Sequence, residues 1–129
     1  MSKPFYIKYQ TPDAVADAAC EALQIATKTG QVRKGTNETT KAIERGIAKL
    51  VVIAEDVEPP EVVAHLPILC EERKIPFVFV PTKNKVGAAV GIDVPAASVC
   101  IVEAGEAQTL IKEIVGRIEE LRRGTQKNE

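Results

Sequence analysis

The chain is poor in the residues that build disulfide frameworks, metal sites and membrane anchors. Its three cysteines, Cys20, Cys70 and Cys100, lie far apart, which favours reduced thiols that pack as small apolar residues in a cytosol. His65 is the only histidine and has no cysteine near it in sequence, so a structural or surface role is favoured over metal binding. The longest apolar runs, such as Leu50–Ala54, are too short to span a bilayer. The sequence therefore predicts a cytoplasmic protein with no metal, cofactor or membrane anchor.

Motifs of nucleotide-binding and catalytic sites are also missing. Gly30 and Gly35 have the spacing of a phosphate loop, but the lysine that would reach the phosphates does not follow them. No G-x-G-x-x-G occurs, and no nucleophile is paired with a base. Glu55 and Asp56 follow a predicted strand, where carboxylates of α/β enzymes often lie, although a helix cap or a solvated loop is the commoner case. These absences favour a non-catalytic protein.

The length of 129 residues predicts one domain over residues 1–129. Its core is expected at about 11–123, and the polar tail 124–129 is expected to fray. Residues 1–9 contain no long apolar stretch, so no secretory signal is predicted.

Helical and strand-like patterns alternate along the chain. Thr11 is expected to cap a first helix that ends at Gly30. The other predicted elements are a strand at 31–34, a helix at about 37–49, a strand at 50–54, a helix starting near Leu66, a strand at 77–80, a short helix from Thr82 to Gly91, a strand at 98–102 and a helix at about 106–123. This alternation predicts an α/β fold with helices on both faces of a sheet.

The apolar faces of these helices predict which side chains enter the core. The second helix is expected to bury Ala42, Ile43 and Ile47. The last helix is expected to bury Leu110, Ile114, Ile118 and Leu121.

The segment 34–41 joins the predicted first strand to the second helix. After a glycine turn, Thr36 is expected to cap the helix N-terminus, whose free N–H groups and partial positive charge suit an anionic ligand. Asn37 and Lys41 lie four residues apart and share a face, with Glu38 beside them. An amide, a carboxylate and an ammonium group can together read the edges of bases.

Charge is distributed unevenly, although the net charge is only −1. Residues 28–49 contain six Lys or Arg and two Glu, whereas residues 54–72 contain six acids and no Lys or Arg. A chain polarised in this way can present one basic face to phosphates. Charge alone does not distinguish this from ordinary helix faces whose charged side chains are simply solvated.

Several strings of the chain resemble the archaeal kink-turn-binding ribosomal protein family, L-seven-Ae. They are KGTNETTK (34–41), ERGIAKL (44–50), AEDV (54–57), AHLP (64–67), LCEE (69–72) and GIDVP (91–95). The resemblance implies a three-layer α/β/α sandwich with a four-stranded mixed sheet. It also implies binding to kink-turn and kink-loop RNA, in which a helix and a short bulge precede tandem sheared G·A pairs.

The resemblance carries RNA-binding roles to individual positions. These are Lys34, Gly35, Thr36, Asn37, Glu38, Lys41, Arg45, Glu58, Lys83, Ile92, Asp93, Val94, Pro95 and Ala97. The side chains of 37, 38 and 41 resemble the readers of the sheared pairs, those of 34, 45 and 83 resemble contacts to the RNA backbone, and residue 58 resembles a further polar contact. Asp93 departs from the resemblance, since many archaeal members have Glu there, and its side chain is one methylene shorter.

The loop at 92–97 is apolar although it lies between a predicted helix and a predicted strand. The resemblance implies that it packs on the base flipped out of the bulge. An exposed apolar loop needs a partner, and an unstacked base supplies one. A loop packed on the core is the alternative.

The resemblance also implies partners. The RNA would be rRNA of the large ribosomal subunit, box C/D or H/ACA guide RNA, or archaeal RNase P RNA. In the C/D particle the protein partners would be the Nop5 scaffold and fibrillarin. Two alternatives remain at this point, namely a small nucleotide-binding α/β enzyme and a protein-only adaptor that uses the acidic segment 55–72.

Overall fold

Five α-helices and four strands alternate along residues 4–127, the part of the chain that this computed structural model describes. The helices are α1 (Asp13–Thr29), α2 (Thr36–Glu44), α3 (His65–Arg73), α4 (Lys83–Ala89) and α5 (Gln108–Lys127). The strands are β1 (Gln31–Lys34), β2 (Leu50–Ala54), β3 (Phe77–Val80) and β4 (Ser98–Glu103). Short 3-10 turns at Pro60–Val62 and Gly105–Ala107 precede α3 and α5.

The four strands form one mixed sheet in the order β1-β4-β2-β3. β2 is parallel to β3, while β4 is antiparallel to both of its neighbours. Every residue of β2 and β3 is buried, as expected of strands that are covered on both faces. The helices form two groups, because α1 contacts α4 and α5 whereas α2 contacts α3. The predicted three-layer α/β/α sandwich with a four-stranded mixed sheet is confirmed.

The segment before α1 covers the outer edge of β3. The Tyr9 hydroxyl donates to the carbonyl oxygen of Phe77, and the Phe79 amide donates to the Thr11 hydroxyl over 3.4 Å. Burial raises the pKa of Tyr9 well above its ordinary value, and the nearby Arg122 guanidinium opposes this only partly. The fully buried Tyr6 donates its hydroxyl to the Ala54 carbonyl at 2.7 Å. The core therefore reaches further toward the N-terminus than the expected start at about residue 11.

Two predicted helix caps are wrong, and tertiary hydrogen bonds explain both. The N-cap of α1 is Pro12, because the Thr11 hydroxyl bonds to β3 instead. The N-cap of α2 is Gly35, because the hydroxyl of Thr36 bonds to Ser98. By contrast, Thr82 caps α4 as predicted, and its hydroxyl accepts from the Lys85 amide at 3.2 Å.

The helix α2 ends five residues earlier than predicted. Gly46 has a φ of 73°, a left-handed conformation that glycine adopts readily and that stops a helix. Ala42 and Ile43 are buried as expected, but Ile47 lies beyond the helix and is 37% exposed rather than buried.

The last helix differs from the prediction at both ends. It starts at Gln108 and continues to Lys127, through most of the tail that was expected to fray, while residues 128–129 lie outside the described part. Ile114 and Ile118 are buried as predicted. Leu110 and Leu121 are only half-buried, and Ile111 takes a buried position that the prediction did not include.

The cysteines are free thiols, and Cys70 and Cys100 are fully buried as predicted. Burial raises the pKa of the Cys70 thiol to about 12 and that of Cys100 to about 11. Cys20, on α1, is half-buried. No helix within residues 4–127 is long and apolar enough to cross a membrane.

Candidate nucleic-acid interface

The turn between β1 and α2 is attached to the start of β4. Gly35 has a φ of 94°, which a side chain would strain, and its amide donates to the Ser98 carbonyl at 3.0 Å. The Gly35 carbonyl accepts the first helical hydrogen bond from Thr39 at 2.9 Å. The hydroxyl of Thr36 lies 3.0 Å from that of Ser98. These bonds fix the direction in which the N-terminus of α2 points.

Three polar side chains surround this helix tip and face solvent. Asn37, Glu38 and Lys41 are exposed, while Thr39 and Ala42 on the other face are buried. The Lys41 ammonium lies 3.4 Å from the Glu38 carboxylate, and both side chains are about half exposed. An exposed pair of this kind contributes little stability, so a ligand can separate the two groups at small cost.

The backbone of the loop 92–97 is held against α4 and β2. The Ile92 amide donates to the Gly87 carbonyl at 3.1 Å, and the Ala96 amide donates to the Lys83 carbonyl at 3.0 Å. Gly87 permits this contact, because a Cβ there would lie 2.1 Å from the Val94 carbonyl oxygen. The Ala97 carbonyl accepts from the amide of Ala54 at the end of β2. The loop is therefore a fixed structure.

The side chains of this loop divide into two sets. Val94 is 61% exposed, and Asp93 and Pro95 are exposed as well. Ile92 is half-buried and Ala96 is buried. The sequence is compatible with an exposed loop or with a loop packed on the core. The structure combines them, with the backbone on the core and an apolar tip in solvent.

Ser98 joins the helix tip to the loop. It follows the loop directly as the first residue of β4, and it bonds to both Gly35 and Thr36. The tip of α2 therefore adjoins the C-terminal end of the loop through one buried residue.

The other predicted contact residues lie around these two features. Lys34 is exposed at the end of β1. Arg45 is exposed at the far end of α2, about 12 Å along the axis from Asn37 at 1.5 Å per residue. The half-buried Lys83 begins α4, and Glu58 is exposed in the segment after β2. Lys34 therefore adjoins the tip of α2, Lys83 adjoins the loop through its carbonyl, and Arg45 lies at the opposite end of α2.

The acidic segment after β2 serves a structural purpose. The Asp56 carboxylate accepts from the Lys83 amide at 2.8 Å, at the N-terminus of α4. A carboxylate is favourable there because it meets unpaired amides and the positive end of the helix dipole. The commoner case considered for this segment, a helix cap, is therefore confirmed for Asp56. Among the described residues, no group of three or more His, Cys, Asp or Glu side chains could hold a metal ion.

Sequence reasoning missed several residues that shape this surface. Gly87 and Ser98 set the loop, and Thr40 and His65 contact each other beside the helix tip. Gly87 alone carried a signal, because a glycine inside a helix pattern costs stability unless packing requires it. A serine in an apolar strand and a histidine on a helix give no such signal.

The fold and the surface together define a three-layer α/β/α domain that presents a polar helix tip beside an apolar loop. The sequence model of the Ribosomal protein L7Ae/L30e/S12e/Gadd45 family matches residues 17–111. The solved structure of the Giardia lamblia 15.5kD RNA binding protein is similar, with 32% sequence identity and a TM-score of 0.85 over 93% of this chain and 99% of that one. The chain belongs to this family, which confirms the predicted resemblance and the prediction of a non-catalytic protein.

Proposed function

We propose that this protein binds RNA and recognises kink-turns and kink-loops through their tandem sheared G·A pairs. The observation that carries the proposal is the exposed set Asn37, Glu38 and Lys41 at a fixed helix N-terminus that adjoins an apolar loop. Family membership supports it, as does the similarity to a protein named as RNA-binding.

The chemistry of a sheared guanine matches these side chains. Such a guanine pairs through its sugar edge, so its imino N–H and one amino N–H remain free. The Glu38 carboxylate has only acceptors and is suited to both donors, whereas Lys41 can donate to O6 or N7. Asn37 can donate and accept at a neighbouring base. In a Watson–Crick pair the guanine donors are occupied, so Glu38 would be desolvated without a partner.

The loop and the predicted cations complete the proposed contact. Val94 and Pro95 present an apolar surface on which a base flipped from the bulge can pack. Lys34, Arg45 and Lys83 would contact phosphates, and Glu58 would make a further polar contact. The family resemblance supplies these roles, and the exposed positions of Lys34, Arg45 and Glu58 are compatible with them.

The proposed targets are rRNA of the large subunit, box C/D and H/ACA guide RNAs, and RNase P RNA, all in the cytoplasm. In a C/D particle the bent protein–RNA complex would recruit Nop5 and fibrillarin.

A direct test of the function compares affinities for two RNAs of equal length, one with tandem G·A pairs and one fully Watson–Crick paired. We expect at least about tenfold tighter binding to the first, from base-edge contacts of about 1–3 kcal/mol each. Equal affinities would contradict the recognition of G·A pairs, whereas failure to bind any structured RNA, with binding to a basic protein, would favour the protein-only adaptor.

Arg45→Ala should weaken binding to all structured RNAs by a similar factor. Arg45 lies at the far end of α2 and is expected to contact phosphate rather than a base edge. Losing one phosphate contact should reduce the slope of log K against log salt by about 1. Affinity titrations at several salt concentrations measure this slope. Arg117→Ala, at an exposed position on α5, is the matched control. An unchanged slope for Arg45→Ala would exclude the phosphate contact.

Substitutions at Val94 and Ile92 should separate binding from stability. Val94→Ala removes an exposed side chain, so the free protein should melt normally and lose affinity for a kink-turn with a flipped base. Ile92→Ala removes a half-buried side chain, so it should also lower the free energy of unfolding by about 1–2 kcal/mol. Thermal unfolding and RNA titration of both variants check this. Normal binding by Val94→Ala would remove the loop tip from the interface.

A further inference from the structure

The first turn of α2 is held by polar side chains from two other elements. His65, the first residue of α3, places its Nε2 2.9 Å from the Thr40 hydroxyl oxygen. That hydroxyl donates to the Thr36 carbonyl at 2.8 Å. On the other side, the hydroxyl of Thr36 lies 3.0 Å from that of the buried Ser98. A chain of hydrogen bonds therefore runs from α3 through the tip of α2 to β4.

This chain determines which nitrogen of His65 carries a proton. A threonine hydroxyl has one proton, and Thr40 donates it to the Thr36 carbonyl. The Thr40 oxygen can then only accept at its second contact, so the Nε2 of His65 must be protonated and must donate. Since His65 is the only histidine in the chain, the ¹⁵N signals of a single imidazole ring report on this bond.

Directional bonds at this place matter because apolar packing alone allows small rotations of a helix. The buried face of α2 consists of three side chains, Thr39, Ala42 and Ile43. For a helix about 10–12 Å across, a rotation of about 20° moves the tips of its side chains by about 2 Å. Base-edge hydrogen bonds do not tolerate that displacement, because they weaken steeply when length and angle depart from their optimum. Contacts between a flexible cation and phosphate tolerate it much better.

We propose that His65 is a positioning residue for RNA recognition, which acts through Thr40 and Thr36 to hold the first turn of α2 in its reading orientation. Ser98 holds the same turn from the opposite side. The proposal rests on the proposed function and adds that the preference for G·A pairs depends on a residue that does not itself read a base. His65 is exposed, so its bond contributes little to global stability, and variants at this position should fold.

Paired substitutions test the inference. His65→Phe keeps a ring but removes the donor, and Thr40→Val keeps the branched shape but removes the hydroxyl. Each should reduce affinity for the G·A kink-turn by about 3- to 10-fold, the equivalent of one hydrogen bond, and leave binding to the fully paired RNA unchanged. The double variant should lose no more than either single variant, because both act through one contact. His65→Gln, whose amide N–H can replace the Nε2 donor, should restore the preference. Thr109→Val, at an exposed position on α5, is the matched control and should bind normally.

A measurement on the free protein tests the geometry independently of RNA. The side-chain ¹⁵N spectrum should show His65 protonated at Nε2, and Thr40→Val should shift its signals. Protonation at Nδ1 alone would overturn the inference. It would also be overturned if the unaltered protein prefers G·A pairs and His65→Phe retains the full preference. If the unaltered protein shows no preference, the proposed function itself fails. If Thr40→Val unfolds, the comparison of His65→Gln with His65→Phe decides the question.

Discussion

Glu38→Ala is expected to weaken binding to a G·A kink-turn by about 1–3 kcal/mol, or roughly 5- to 150-fold. The carboxylate is exposed at the tip of α2 and would accept from the imino and amino groups of one guanine. Glu38→Gln should lose nearly as much, because its amide N–H₂ group would meet another donor. Lys41→Ala should also cost about 1–3 kcal/mol, since it removes the donor to O6 or N7. Filter binding or calorimetry against the G·A kink-turn and against the fully Watson–Crick paired RNA measures these losses.

Glu38 and Lys41 contact each other, so the effect of each substitution on RNA affinity must be separated from the loss of this contact. The two groups are 3.4 Å apart in the free protein, so each substitution also removes a weak ion pair. The double variant gives the coupling energy between them. Glu44→Ala is the matched control, because it removes an exposed carboxylate from the other end of the same helix. Equal losses on the G·A RNA and on the paired duplex would show that Glu38 does not confer specificity.

Gly87→Ala is expected to lower the free energy of unfolding by about 3 kcal/mol, more than any of the other substitutions proposed. The added Cβ would lie 2.1 Å from the Val94 carbonyl oxygen, and a backbone obstacle cannot rotate away as a side chain can. The loop 92–97 must then move off α4, which places the cost at the upper end for overpacking. Chemical denaturation measures this change. Because the loop ends at Ser98, RNA affinity should fall as well.

The same substitution in α5 supplies the control for Gly87→Ala. Gly116 also lies inside a helix, but a Cβ there would meet nothing within 4 Å. Gly116→Ala should therefore stabilise the protein by about 0.5–1 kcal/mol through helix propensity alone. If Gly87→Ala were tolerated equally well, the close contact between the loop and α4 would be disproved.

The sheet could be predicted from the sequence because its strands are short, continuous apolar runs. Such runs are buried most readily as central strands of a sheet, and the predicted strands Leu50–Ala54 and Phe77–Val80 are both confirmed. The ends of helices were harder to predict. The hydroxyls of Thr11 and Thr36 look like local caps, but each bonds to a distant strand, and sequence spacing contains no information on that contact.

The residues of the candidate site could be predicted from the sequence, but their spatial arrangement could not. The tip residues Asn37, Glu38 and Lys41 could be placed on one face from helical spacing alone. That the loop lies beside this tip follows from the bonds of Ser98, which join elements more than 60 positions apart in sequence. The error at Ile47 has a local cause, since Gly46 ends α2 before the apolar pattern does.

The central claim is that the protein reads sheared G·A pairs and therefore favours the bent form of the RNA. The most direct measurement is energy transfer between labels at the two helix ends of a kink-turn at low Mg²⁺, where crowded phosphates disfavour the bend. A ligand shifts such an equilibrium only by its differential affinity for the two shapes, and sheared pairs are the feature that Glu38 would recognise in the bent one. We predict that adding the protein brings the labels together, and that replacing both G·A pairs with Watson–Crick pairs abolishes the change. Bending that persists on the fully paired RNA would contradict the account.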